Sequence, residues 1–180
     1  SALSSEEKTV LRAQLEKKIN TPLTSSMGRL FDAVSSLAGV RSRVNYEGQA
    51  AIELESFCSP AEGGAYSFEL AEDQIMLTRF LGELLADILA GLSVPVIAAK
   101  FHNGLARLLI ELCQQVRAET GIHTVALSGG VWQNNTLLIK THDLLDQAGF
   151  TTLVHHQVPT NDGGISLGQV AVAAAKFRKH

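Results

Sequence analysis

Two glycine pairs are the residues of this chain best placed to do chemistry. Ser128-Gly129-Gly130 and Asp162-Gly163-Gly164 each follow a segment that reads as a strand, and each opens a segment that reads as a helix. Open parallel sheets bind ligands beyond the carboxyl ends of their strands. A helix N-terminus there presents free N–H groups and the positive end of its dipole, which suits a phosphate. Glycine lets the backbone approach such a ligand closely and take a positive φ. Two such turns on neighbouring strands can face one anionic ligand. Paired glycines can equally do no more than make tight turns. Neither GxxxxGK[ST] nor GxGxxG is present, so the common nucleotide fingerprints are absent.

Other residues admit two readings each. Asp162 can cap the helix that follows it, ligate a metal, or orient a phosphate-bound cation. Asn134, in the first turn of its helix, can reach a ligand with its amide or serve as a cap. Arg29 and Asp32 can form a ligand-facing polar pair or part of a solvated face. His102 lies on a strongly apolar helix, where it either packs with a hydrogen-bond partner or serves as a ligand. The six histidines form no HxxxH or HExxH. His155 and His156 are adjacent and would point to opposite faces of a strand. Ser128 lacks the GxSxG frame of a nucleophile elbow. Cys113 is expected on the buried face of a helix, and neither cysteine has an activating setting.

The elements that must position these residues fall into two parts. Residues 1–122 read mostly as helix, and residues 123–180 as α/β, within one domain spanning 1–180. Helices are expected from Ser4 or Ser5 to about Ile19, over 26–37, over 46–57, over 73–89, and from Pro95 to Gly121, which closes the longest. A short strand is expected over 65–70. Then come a strand at 124–127, a helix over about 133–147, a strand over 151–155 and a final helix rich in Ala and Val. Strand, glycine turn, helix, repeated, is the rhythm of parallel α/β structure.

The chain has 180 residues, 46% of them hydrophobic and only 18% charged, which is too apolar for disorder. Its net charge of -3 argues against a nucleic-acid backbone as the main ligand. No apolar run is long enough to span a membrane. Two cysteines far apart, Cys58 and Cys113, favour a reducing, cytoplasmic compartment. The chain does not open with Met, and it is expected to be a piece of a longer protein.

Five blocks, taken together, resemble a known family. They are Asn20-Thr21-Pro22-Leu23-Thr24-Ser25-Ser26-Met27-Gly28-Arg29-Leu30-Phe31-Asp32-Ala33-Val34, Tyr46-Glu47-Gly48-Gln49-Ala50-Ala51-Ile52-Glu53-Leu54-Glu55, Phe101-His102-Asn103-Gly104-Leu105-Ala106, Leu127-Ser128-Gly129-Gly130-Val131-Trp132-Gln133-Asn134 and Asn161-Asp162-Gly163-Gly164-Ile165-Ser166-Leu167-Gly168-Gln169. In this order they resemble the C-terminal, TsaD-like part of the hydrogenase maturation carbamoyltransferase HypF. The resemblance implies the second lobe of a fold of the actin, heat-shock-chaperone and sugar-kinase type: helix-rich, with a small, mainly parallel sheet. It implies an enzyme that makes carbamoyl-adenylate from carbamoyl phosphate and ATP. The carbamoyl group would pass to the C-terminal cysteine of HypE, for [NiFe]-hydrogenase maturation, with the remaining HypF domains as partners.

By the same resemblance, Ser128, Gly129, Gly130, Asn134 and Gly163 belong to nucleotide-binding turns, and Gly28 and Asp32 line the nucleoside side. Asp162 matches the family's metal-ligand Asp, for a divalent ion such as Zn or Fe. The family takes two further ligands from an HxxxH motif that this chain lacks, so one lobe alone is expected to be inactive. The rivals are a lobe of a tRNA threonylcarbamoyl-adenosine synthase, against which Arg29 argues, and a non-catalytic nucleotide-binding or interaction module.

Overall fold

The computed structural model describes residues 4–71 and 74–177. Helices α1 (Ser5–Lys17), α2 (Met27–Leu37) and α3 (Gln49–Ser56) come first, followed by a short antiparallel hairpin of β1 (Glu69–Ala71) and β2 (Gln74–Met76). Then come α4 (Thr78–Leu89), the 27-residue α5 (Val94–Thr120), β3 (Thr124–Leu127), α6 (Asn135–Gln147), β4 (Thr151–Val154) and α7 (Ile165–Phe177). Strands β3 and β4 pair in parallel, with Thr124 opposite Thr151 and Leu127 opposite Val154.

Local chemistry sets most boundaries. Ser4 and Glu7 form a reciprocal capping box at the start of α1, satisfying two donors the helix leaves unpaired. Ser26 caps α2 by accepting from the Arg29 N–H. Val94 and Pro95 open α5, where a missing N–H costs nothing, and Gly121, at φ 73°, closes it in the left-handed region.

Several expectations need correction. Helix α1 ends at Lys17, because Lys18 takes the left-handed conformation before Pro22 is reached. Helix α3 starts at Gln49 rather than Tyr46, since Gly48, at φ 79°, turns the chain into it. The strand expected over 65–70 survives only at its end, as β1. Residues 74–76 are strand β2, not the start of α4, and Asp73 lies outside the described residues. Between β3 and α6 the chain makes a 3-10 turn over Gly130–Gln133, so the α-helix begins later than 133.

The larger core joins α2, α3, α4 and α5 around Phe31, Leu54, Phe80, Leu84 and Phe101, all 2% exposed or less. Phe31 and Phe80 flank Phe101 at ring-centroid distances of 4.9 and 5.6 Å. Gly104 on α5 lets the 59–66 segment lie directly on the helix. A Cβ there would stand 2.5 Å from the Tyr66 carbonyl oxygen. A smaller core of Leu127, Leu145 and Phe150, backed by Ile110 and Cys113 of α5, ties the parallel pair to the helices. Of the first-half helices, α5 packs against the parallel pair. Neither α1 nor α7 contributes a buried residue.

Candidate functional site

A cleft of about 660 Å³ opens between α2 and α3 on one side and the two glycine turns on the other. Gly28, Arg29, Phe31 and Asp32 come from α2; Glu47, Gly48, Ala51, Ile52 and Glu55 come from α3 and its entry. The opposite wall is Gly130, Val131, Gln133 and Asn134, continued by Asn161, Asp162 and Gly163. The parallel register of β3 and β4 brings the two turns together, because both leave the carboxyl end of the sheet.

The turns are stitched to each other. The Gly129 N–H donates to the Thr160 carbonyl at 2.8 Å, and the Thr160 hydroxyl donates to the Gly129 carbonyl at 2.8 Å. Gly129 sits at φ 107°, which is open to glycine and strained for other residues. Among the described residues, none of the turn's hydrogen bonds uses the N–H of Gly130 or Val131.

Six of the expected residues line the cleft: Gly28, Asp32, Gly130, Asn134, Asp162 and Gly163. Ser128 and Gly129 do not. Gly129 holds the Thr160 segment instead, and the Ser128 hydroxyl lies 2.9 Å from His155 Nε2 on the exposed side of the sheet end. Arg29 and Asp32 form an ion pair at 3.2 Å and both face the cleft.

Two N–H groups in the first turn of α6 already have partners within the protein. Asn134 Oδ1 accepts from the Leu137 N–H at 2.8 Å, and Glu55 Oε1 accepts from the Thr136 N–H at 2.8 Å. The donors left on this wall belong to the 3-10 turn. Glu47 and Glu55 are cleft residues that the spacing of sequence motifs did not single out. A carboxylate 81 positions from the helix it caps leaves no local pattern.

Asp162 is not the cap of its turn. Asn161 does that, accepting from the Gly163 N–H at 3.0 Å. Asp162 lines the cleft, and its carboxylate takes no hydrogen bond or ion pair among the described residues. Among those residues, no three His, Cys, Asp or Glu side chains converge as a metal site. Asp162 does not make a metal site by itself, since one carboxylate is too few ligands to hold an ion.

Beneath the cleft, His102 is fully buried and hydrogen-bonded, the packed outcome of its two readings. Its Nδ1 lies 2.7 Å from the Ala98 carbonyl and 3.1 Å from Cys58 Sγ, and its Nε2 lies 2.8 Å from Asn134 Nδ2. Burial holds its basicity below that of an ordinary histidine. Burial likewise pushes the Cys58 thiol up to about 12, which keeps it protonated and unreactive.

Paired glycine turns facing an acidic, helix-built wall define a cleft-bearing lobe with a small parallel sheet. Residues 1–169 match the family described as "Carbamoyltransferase, Kae1-like Domain, second subdomain". The chain is similar to Carbamoyltransferase HypF from Synechocystis sp., at 41% identity over 87% of this chain and 20% of the relative. A solved full-length HypF in its phosphate- and nucleotide-bound form superposes with a TM-score of 0.90 at 44% identity, over 95% of this chain and 23% of that one. A tRNA N6-adenosine threonylcarbamoyltransferase from Prochlorococcus marinus is more distantly similar, at 26% identity over 91% of this chain and 49% of the relative. The chain belongs to the carbamoyltransferase HypF family and corresponds to the second subdomain of its Kae1-like domain. It spans about a fifth of the length of the curated HypF relatives it matches. No helix among the described residues is long and apolar enough to cross a membrane.

Proposed function

We propose that this chain is the nucleotide-binding lobe of an ATP-dependent carbamoyltransferase. In the whole protein, water cleaves carbamoyl phosphate to carbamate and phosphate; a carbamate oxygen then attacks the α-phosphorus of ATP, giving carbamoyl-adenylate as pyrophosphate leaves with the electron pair of the broken P–O bond. The C-terminal cysteine thiolate of HypE then attacks the carbamoyl carbon, a C–S bond forms, and AMP leaves with the electron pair of the broken C–O bond. The lobe alone supplies binding and orientation and is inactive without the other HypF domains.

The observation that carries this reading is the convergence of both glycine turns on a cleft whose far wall bears carboxylates. The free N–H groups of Gly130 and Val131 suit phosphate oxygens, in a place where glycine leaves room for close approach. Asp32 and Glu47, on the α2–α3 wall, suit the hydroxyls of a ribose, which donate to carboxylates. Asp162 would hold a divalent metal together with histidines from another part of the protein. Such an ion would neutralise phosphate charge.

The test is Gly130→Val in the full-length protein. A Cβ at this position meets nothing closer than Asn161 Cβ at 3.9 Å, so the variant should fold. Its branched side chain would stand where phosphate must approach. ATP affinity and adenylate formation are expected to fall at least tenfold, about the worth of one lost hydrogen bond. Unchanged ATP binding with an intact circular dichroism spectrum would refute the site.

A further inference from the structure

A buried histidine joins the two walls of the cleft without lining it. His102 stands on α5, beneath both. The Ala98 carbonyl at 2.7 Å can only accept, so the His102 proton sits on Nδ1. Nε2 then carries a lone pair, aimed at Asn134 Nδ2, 2.8 Å away. That fixes which way the Asn134 amide points, because its nitrogen must donate to the ring. Its oxygen is thereby left to accept from the Leu137 N–H. On the other side, Phe31 stands edge-on to the His102 ring, with centroids 5.3 Å apart and planes 72° apart. Phe31 and Asn134 both line the cleft, from opposite walls.

We infer that His102 is a positioning residue of the nucleotide site, its neutral ring setting the Asn134 amide and, through it, the wall of the Gly130–Asn134 turn against α2. This rests on the nucleotide reading proposed above. The ring touches no ligand. It acts by giving the Asn134 amide nitrogen an acceptor, which backs the bond that the amide oxygen takes from the Leu137 N–H. A phenylalanine ring could fill the same volume but could not accept from Asn134. A glutamine places its amide oxygen near the Nε2 position and could.

The experiment compares His102→Phe, His102→Gln and Gly130→Val in the full-length protein, at a temperature where each is fully folded. ATP dissociation constants are measured together with hydrogen exchange at the Leu137 amide. His102→Phe is expected to weaken ATP binding about tenfold, the scale of one hydrogen bond. It should also speed Leu137 exchange at least tenfold, with α4 exchange unchanged. His102→Gln is expected to stay within about threefold of the parent in both readouts, because its oxygen restores the acceptor.

With Gly130→Val impaired, unchanged affinity or unchanged Leu137 exchange in His102→Phe overturns the inference. Equal losses in the Phe and Gln variants overturn it as well, leaving ring packing as the role. If Gly130→Val binds ATP normally, the nucleotide reading fails. Leu137 exchange in His102→Phe then decides alone whether His102 positions Asn134.

Discussion

Helices α6 and α7 follow the same local plan, a strand, a glycine turn and then a helix, yet they end in opposite situations. Helix α6 buries Leu137, Thr141 and Leu145, and its first turn is closed by Asn134 and by Glu55 from α3. Helix α7 buries nothing: Val170 is 65% exposed and Val172 58%. Yet α7 is the more apolar of the two, a run of Ile, Leu, Val and Ala. Periodicity and glycine turns decide that a helix forms. Which surface it meets is decided by segments far away in the sequence.

The sharpest way to break that contrast is a pair of truncations. Leu145→Ala empties a fully buried site between Leu127 and Phe150, and should cost about 2–5 kcal/mol. Val172→Ala on α7 should stay within about 0.5 kcal/mol. Chemical denaturation of the chain measures both. Comparable losses at the two sites would show that α7 is packed in solution and would erase the distinction.

A smaller effect separates two neighbouring glycines in the turn before α6. Gly129→Ala must hold φ 107° with a Cβ and should cost about 1–3 kcal/mol. Gly130→Ala meets only ordinary contact at 3.9 Å and should be close to neutral. Equal costs would mean that the turn relaxes, and that the stitch to Thr160 is weaker than its distances suggest.

The smallest effect is a pH dependence confined to the α6 side. His102 is less basic folded than unfolded, so the unfolded chain binds more protons at mildly acidic pH. Stability is therefore full above the ordinary histidine value of 6.5 and declines as pH falls below it. Desolvation drives this. Of the charges facing the ring, Glu55 opposes it and Lys140 adds to it, while the neighbouring Cys58 stays neutral. Glu53, held acidic by Arg41 and Gln49, acts only below the ordinary carboxylate value of 4.5, in a separate window. His102→Phe should flatten the slope just below 6.5. A slope unchanged by that substitution would assign it to another group.

Much of this was readable in the residues. Ser26 before Met27, Pro95, Gly121 and the strand–turn–helix rhythm of residues 124–164 all act locally, within a turn of where they stand. Both glycine turns could be placed at one end of the sheet because parallel pairing forces it. Three things were not readable. The hairpin at β1 and β2 exists by cross-strand pairing, in a stretch that also continues the helical spacing of α4. Helix α3 starts late because Gly48 spends a residue on a left-handed turn. The bonds of Glu55 and His102 are contacts across the fold. His102 and Asn134 are 32 positions apart, and no window of sequence contains both.

The cleft's fastenings span long stretches of chain. The Gly129–Thr160 stitch joins residues 31 apart, and the Glu55 bond to α6 joins residues 81 apart. Each closes a large loop, with an entropic cost that local helices do not bear. Helices α4 and α5, adjacent in sequence, can pair early around Phe80 and Phe101. The rim cannot close until β4 has docked beside β3. During synthesis, this orders events in time: the rim can close only after Thr160 has been made, well after the helices of the far wall.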